Sequence, residues 1–101
     1  MVLGYIGFGE AAFEMSTGLR GEGLKDIVAF DNMIEHPVFG PQIKNRAGLS
    51  AVKLLPSPAE VIAASDLVMV AVPASVTLHT CETIAEYFRP GQLYVIIQIG
   101  R

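Results

Sequence analysis

The chain holds one cysteine, Cys81, and no tryptophan among its 101 residues. A single thiol excludes an internal disulfide and, with no secretory leader apparent, fits a reducing cytoplasmic setting. Charge is scarce too: 17% of residues carry it, and the net charge is −3. Nucleic acid and anionic membrane both require a basic surface, so neither is expected as a partner. No apolar run reaches the length needed to cross a bilayer. Two histidines, His36 and His79, with one cysteine form no metal-ligand set. Repeats, linkers and low-complexity tracts are missing as well. What the sequence has in quantity is apolar residues, 51% of the total, enough for one compact domain with one modest core.

The stretch with the most to say is Tyr5-Ile6-Gly7-Phe8-Gly9-Glu10-Ala11-Ala12-Phe13. The apolar run Met1–Gly4 before it predicts a buried strand. After it, Ala12, Met15, Ser16 and Leu19 recur at helical spacing, with Glu14 and Arg20 on other faces. Strand, glycine turn and helix are the order of a dinucleotide-binding unit. In such a unit Gly7 permits the sharp turn and Gly9 lets a pyrophosphate approach the backbone. Ala12 is small enough for the helix to pack closely on the strand. The helix start then offers unpaired N–H groups and the positive end of its dipole to phosphates. A glycine-rich turn can also serve packing alone. Glu10 lies in the first helical turn, where its charge suits the dipole but would repel a pyrophosphate unless turned outward.

Gly21-Glu22-Gly23 stops the first helix, and Asp26–Asp31 reads as the second strand. Asp31 falls 24 positions after Gly7 and 19 after Ala12, where an acidic side chain accepts from the adenine ribose hydroxyls. It could instead cap a turn with Asn32. A short helix is predicted from Pro41 to about Arg46, with Lys44 and Arg46 on an exposed face, and a marginal third strand over Gly48–Leu55. Ser57 or Pro58 opens a helix through Ala64. Leu67–Val72 is a continuous apolar run, as expected of a strand covered on both faces, and Pro73 ends it. A helix is expected from Ser75 to about Phe88 and a last strand from Leu93 to Ile99. His36, beside Pro37, could stack on a base or be a plain loop residue. His79 reads as a surface or core-filling side chain.

Alternating strands and helices predict an α/β, Rossmann-type doubly wound parallel sheet of order 3-2-1-4-5 over residues 1–101. The switch point then lies between the first and fourth strands. The carboxyl ends of the strands gather Gly7, Phe8, Gly9, Asp31, Val72, Pro73 and Ala74 along one edge.

The residues Tyr5–Ala12, Ala29-Phe30-Asp31 and Ser65–Pro73 resemble the N-terminal NAD(P)-binding domain of the β-hydroxyacid dehydrogenases, the family of 3-hydroxyisobutyrate and 6-phosphogluconate dehydrogenases. Prephenate dehydrogenases and pyrroline-carboxylate reductases carry similar fourth-strand motifs. The resemblance implies that Phe8 lines the turn over the pyrophosphate, that Val72, Pro73 and Ala74 touch the nicotinamide-side ribose, and that Val76 packs near the adenine or its ribose. With Gly7, Gly9, Glu10, Ala11, Ala12, Asp31 and Asn32 these make the expected cofactor-binding set. NAD is the expected cofactor, with NADP possible. Where the family usually has a polar segment after the last strand, this chain has Ile97-Gln98-Ile99.

The resemblance also implies a following helical domain, which carries the catalytic lysine and the dimer interface and is not present in this sequence. The chain is therefore expected to be truncated after the fifth strand, with no catalytic residue of its own. Two functions remain open. One is the NAD(P)-binding domain of an oxidoreductase acting on a 3-hydroxy acid or related CH–OH substrate, which it meets only with the missing domain. The other is a non-catalytic dinucleotide-sensing or interaction module. The uncharged last strand, with one face lacking a helix, is expected to favour self-association through residues 93–99.

Overall fold

The structure is a computed structural model and describes residues 1–97. Its first strand, β1 (Val2–Ile6), is followed by helix α1 (Glu10–Gly21) and strand β2 (Asp26–Phe30). Helix α2 (Phe39–Ser50), the two-residue β3 (Lys53–Leu54) and helix α3 (Pro58–Ala64) come next. Strand β4 (Leu67–Val70), helix α4 (Thr77–Ile84) and strand β5 (Leu93–Ile96) complete the described chain. The five strands are all parallel and ordered β3-β2-β1-β4-β5, as the sequence predicts.

Side chains alternate across β1. Leu3 and Tyr5 join a core beneath α1 and α2 that includes Ile27, Ala29, Ile43 and Ala47. Ile6 faces a second core with Val61, Ile62, Val68, Val70 and Ile84 under α3 and α4. These central strands are covered on both faces, hence their near-continuous apolar runs. β5 differs: its four residues, Leu93 to Ile96, are 40–69% exposed. Helices do not cover this strand on both sides, and among the described residues it pairs only with β4. Gln98 and Ile99, part of the segment expected to self-associate, lie outside the described residues.

Several boundaries move. β1 runs on from the predicted Met1–Gly4 run through Tyr5 and Ile6. α2 is twice the expected length and absorbs Gly48–Ser50, leaving only Lys53–Leu54 of the predicted third strand. Its buried positions Ile43, Ala47 and Ser50 keep helical spacing throughout. Arg46 is not on an exposed face but turned toward Glu10, 3.9 Å from its carboxylate. The expected helix from Ser75 to Phe88 is α4 flanked by 3-10 turns at Ala74–Val76 and Ala85–Tyr87.

Helix ends explain the errors. α1 closes with Leu24 N–H donating to the Leu19 carbonyl and Gly23 N–H to that of Arg20, with Gly23 at φ 102°. α2 closes with the same pair of bonds, from Val52 to Ala47 and from Ala51 to Gly48. There the left-handed position is held by Ala51 at φ 54°, a residue that gives no stop signal. α3 starts as its sequence suggests: the Ser57 hydroxyl accepts from Glu60 N–H and donates to the Glu60 carboxylate. Its far end is held from a distance. Arg89 and Gln92 donate to the carbonyls of Ile62 and Ser65, and Arg89 also to that of Ala63.

Two stability predictions result. Replacing the exposed Ala51 with Gly removes the Cβ penalty of the left-handed cap and should stabilise the protein by roughly 0.5–1 kcal/mol, read as a higher denaturation midpoint. Tyr5 is fully buried, and its hydroxyl has no hydrogen-bond partner among the described residues. Burial raises its pKa from 10.0 to about 12. The unfolded chain thus releases this proton first, and stability is lost as pH climbs from 10 toward 12. Tyr5→Phe should gain about 1 kcal/mol at neutral pH and shed that part of the alkaline loss in denaturant titrations.

Candidate functional site: a cleft at the sheet switch point

β1 lies between β2 and β4, and the chain leaves these two neighbours for opposite sides of the sheet. A crevice opens where they diverge, at the carboxyl ends of the strands. It holds a cleft of about 920 Å³. The floor is the turn Gly7-Phe8-Gly9, one wall is the first two turns of α1, and the opposite wall is α4.

Gly7 and Gly9 do different work. Gly7 sits at φ 94°, its N–H donates to the Phe30 carbonyl at 2.7 Å, and a Cβ there would collide with the carbonyl of Ala71. Its glycine is required by the protein itself. Gly9 has φ −84° and ψ −163°, which any residue adopts, and a Cβ built on it meets nothing within 4 Å. Nothing in the fold demands glycine there. It precedes α1 as the N-cap, has no side chain to satisfy the first-turn N–H groups, and lines the cleft.

The residues singled out in the sequence divide accordingly. Gly7, Gly9, Glu10 and Ala11 line the α1 side, Asp31 and Asn32 the end of β2, and Val72, Pro73 and Val76 the segment after β4. Three do not line the cleft. Phe8 is fully buried, its ring edge-on to Tyr5 at 5.9 Å, so it cannot cover a pyrophosphate with its side chain. The alternation that sends Gly7 and Gly9 toward the cleft sends Phe8 into the core. Ala12 is on the buried face of α1, consistent with the packing role read for it. Ala74 begins the 3-10 turn and does not face the cleft.

Asp31 is bound on both oxygens. Its Oδ2 accepts from Phe8 N–H at 2.8 Å and its Oδ1 from Met33 N–H at 2.9 Å. The turn-capping role weighed from sequence is therefore present, together with a bond to the glycine turn that the sequence reading missed. His36 is not a cleft residue: its Nδ1 accepts from Val38 and Phe39 N–H, and its ring stacks on Phe39 at 4.7 Å. The sequence reading also missed Glu14 and, on α4, His79, Thr80 and Thr83 as cleft residues. Thr80 and Thr83 fall four and seven positions after Val76, a helical stripe that was available as a signal.

The charged side chains lining the cleft are Glu10, Glu14 and Asp31; no Lys or Arg is among the described lining residues. The Glu10 side chain is 84% exposed, turned to solvent as its charge requires. An anion in this cleft would be received by backbone N–H groups and the α1 dipole rather than by cations.

No protein-family model and no curated protein sequence matches the chain. Solved structures do. A conserved hypothetical protein from Sinorhizobium meliloti superposes with a TM-score of 0.86 at 26% identity, over 97% of this chain and 32% of that one. The 3-hydroxyisobutyrate dehydrogenase of Mycobacterium tuberculosis gives 0.76 at 22%, over 99% and 33%. The arogenate dehydrogenase of Synechocystis gives 0.76 at 13%, over 96% and 32%. The chain shares their Rossmann fold. It spans about a third of the length of these structures.

Within this Rossmann unit the two glycines should separate cleanly on mutation. Gly7→Ala should lose roughly 2–4 kcal/mol from strain and overpacking against Ala71, while Gly9→Ala should change stability by at most about 1 kcal/mol. Denaturant melts of the two variants check this.

Proposed function

We propose that the chain is the NAD-binding domain of an oxidoreductase. The observation that carries this reading is the empty space over Gly9, in a cleft at the switch point of a parallel sheet, beside the N-terminus of α1. A pyrophosphate fits such a cradle, and a side chain at Gly9 would occupy it. The likeness to dehydrogenase structures supports a dinucleotide-binding oxidoreductase domain. Gly9, Ala11 and the first turn of α1 would hold the phosphates, Asp31 and Asn32 the adenosine ribose, Val72 and Pro73 the nicotinamide-side ribose, and Val76 the adenine or its ribose. Bound there, the dinucleotide supplies the hydride acceptor.

The substrate class, a 3-hydroxy acid or related CH–OH compound, is proposed from the family resemblance of the motifs. Hydride transfer then depends on polypeptide beyond the one described, which provides the proton donor and substrate clamp. A binding module without turnover is the second reading, supported by the lack of any Lys or Arg among the described residues that line the cleft. Assaying the chain with 3-hydroxy acids and NAD, alone and with a helical domain of the kind the resemblance implies supplied in addition, distinguishes the two.

Calorimetric titration tests the binding itself. The parent should bind NAD, and Gly9→Val should abolish binding without unfolding. Equal binding by a folded Gly9→Val would mean that the phosphates lie elsewhere. NAD should bind at least about tenfold tighter than NADP, because a 2′-phosphate would meet the Asp31 carboxylate with no cation lining the cleft to offset it. Tighter binding of NADP would overturn that preference.

A further inference from the structure

We propose that Asp31 is a positioning residue for the glycine turn, so that the ribose end and the phosphate end of the cleft form one hydrogen-bonded unit. This rests on the dinucleotide reading of the cleft. Phe8 N–H lies between the two glycines, where a free amide would be a donor for an anion. It is committed instead to Asp31 Oδ2 at 2.8 Å, a contact that joins residues 23 positions apart. The preceding amide is committed to the same strand end, Gly7 N–H to the Phe30 carbonyl at 2.7 Å. Two successive amides of the turn are thus anchored on the end of β2. The Phe8 ring fixes the turn from the other side by its burial in the core.

The second carboxylate oxygen extends the unit. By accepting from Met33 N–H, Oδ1 orders the residues that follow β2 and form the rim of the cleft. An ionised carboxylate has about four acceptor positions, so each oxygen retains one for a ribose hydroxyl. Ribose hydroxyls would therefore add to the staple and not replace it. Removing the carboxylate frees two backbone donors in two different segments at once. The phosphate cradle then keeps only the Gly7 bond to the Phe30 carbonyl as its hold on β2, even when the ligand makes no use of Asp31.

That consequence separates positioning from simple ribose binding. The decisive ligand is an NAD analogue whose adenosine ribose lacks both hydroxyls. If Asp31 acts only on the ribose, Asp31→Ala binds this analogue as well as the parent does, and the proposal falls. If it positions the turn, the variant binds the analogue about tenfold more weakly than the parent, the effect of losing one charge-assisted bond.

Magnetic resonance without any ligand gives an independent answer. The parent should show a scalar coupling across the hydrogen bond between the Phe8 amide nitrogen and the Asp31 carboxyl carbon. Asp31→Ala should raise Phe8 amide exchange about tenfold while Leu3 and Ile27 stay protected. No coupling in the parent, or unchanged Phe8 exchange in a folded variant, overturns the role. If Asp31→Ala does not fold, the coupling in the parent decides. If the parent binds neither NAD nor the analogue, the dinucleotide reading fails, and the coupling and exchange still decide whether Asp31 holds the turn.

Discussion

β1 and the turn that follows it are approached so closely by their neighbours that two positions admit no side chain. At Gly4 a Cβ would collide with the Ser65 hydroxyl and with Val61 of α3, and at Gly7 with the Ala71 carbonyl. These contacts set the geometry around them. Gly4 lets α3 lie on the sheet, and the buried Ser65 answers its own polarity by donating to the Val61 carbonyl. Gly7 lets β1 turn away tightly while the segment after β4 passes beside it. The cleft exists because β1 turns sharply at this point while β2 and β4 send their connections to opposite faces. Its floor is thus a by-product of packing, and only Gly9 adds something that packing did not require.

The electrostatics follow from the same economy of side chains. With carboxylates at Glu10, Glu14 and Asp31 and no lining cation, the positive potential available to a phosphate comes from the backbone. The α1 N-terminus supplies it, because Gly9 as N-cap leaves the first-turn N–H groups without a side-chain acceptor. Glu10 is compatible with this role only because it points to solvent, where Arg46 stands 3.9 Å away. With Glu10 so exposed, the pair contributes little to stability. Its position shows where the charge goes: away from the turn.

The strands, their order and the glycine turn were legible because each rests on a local signal: apolar runs, Gly-x-Gly, Ser57 before Pro58. What was not legible depended on residues without such a signal. Ala51 takes a left-handed cap that Gly23 announces and Ala does not, so α2 seemed to end four residues early. Phe8 lies within the motif, yet its neighbours across the sheet draw it into the core. Asp31 was legible as an acidic residue in the right place, while its bond to Phe8 N–H requires knowing that the two meet in space. Arg89 and Gln92, which fall between the predicted helix and the last strand, turn out to close α3 from 24 to 30 residues away.

That last contact bears on how the two sides of the sheet differ. β1, β2 and β4 carry the core on both faces, whereas β5 is held by its ladder to β4 and by Tyr94 against Phe88 at 5.0 Å. Its exposed apolar residues contribute less burial than any other strand of comparable length, so local opening should be easiest there. Arg89 and Gln92 work against this. They fasten the segment entering β5 to the end of α3, whose own side chains Val61 and Ile62 are fully buried. The segment between α4 and β5 is therefore tied to the core at its chain end even where its surface is not. α4, the far wall of the cleft, is anchored through the buried Ile84 at one end and by the Thr77 hydroxyl on the Pro73 carbonyl at the other. The wall facing the glycine turn thus stays in place without needing β5 to be covered.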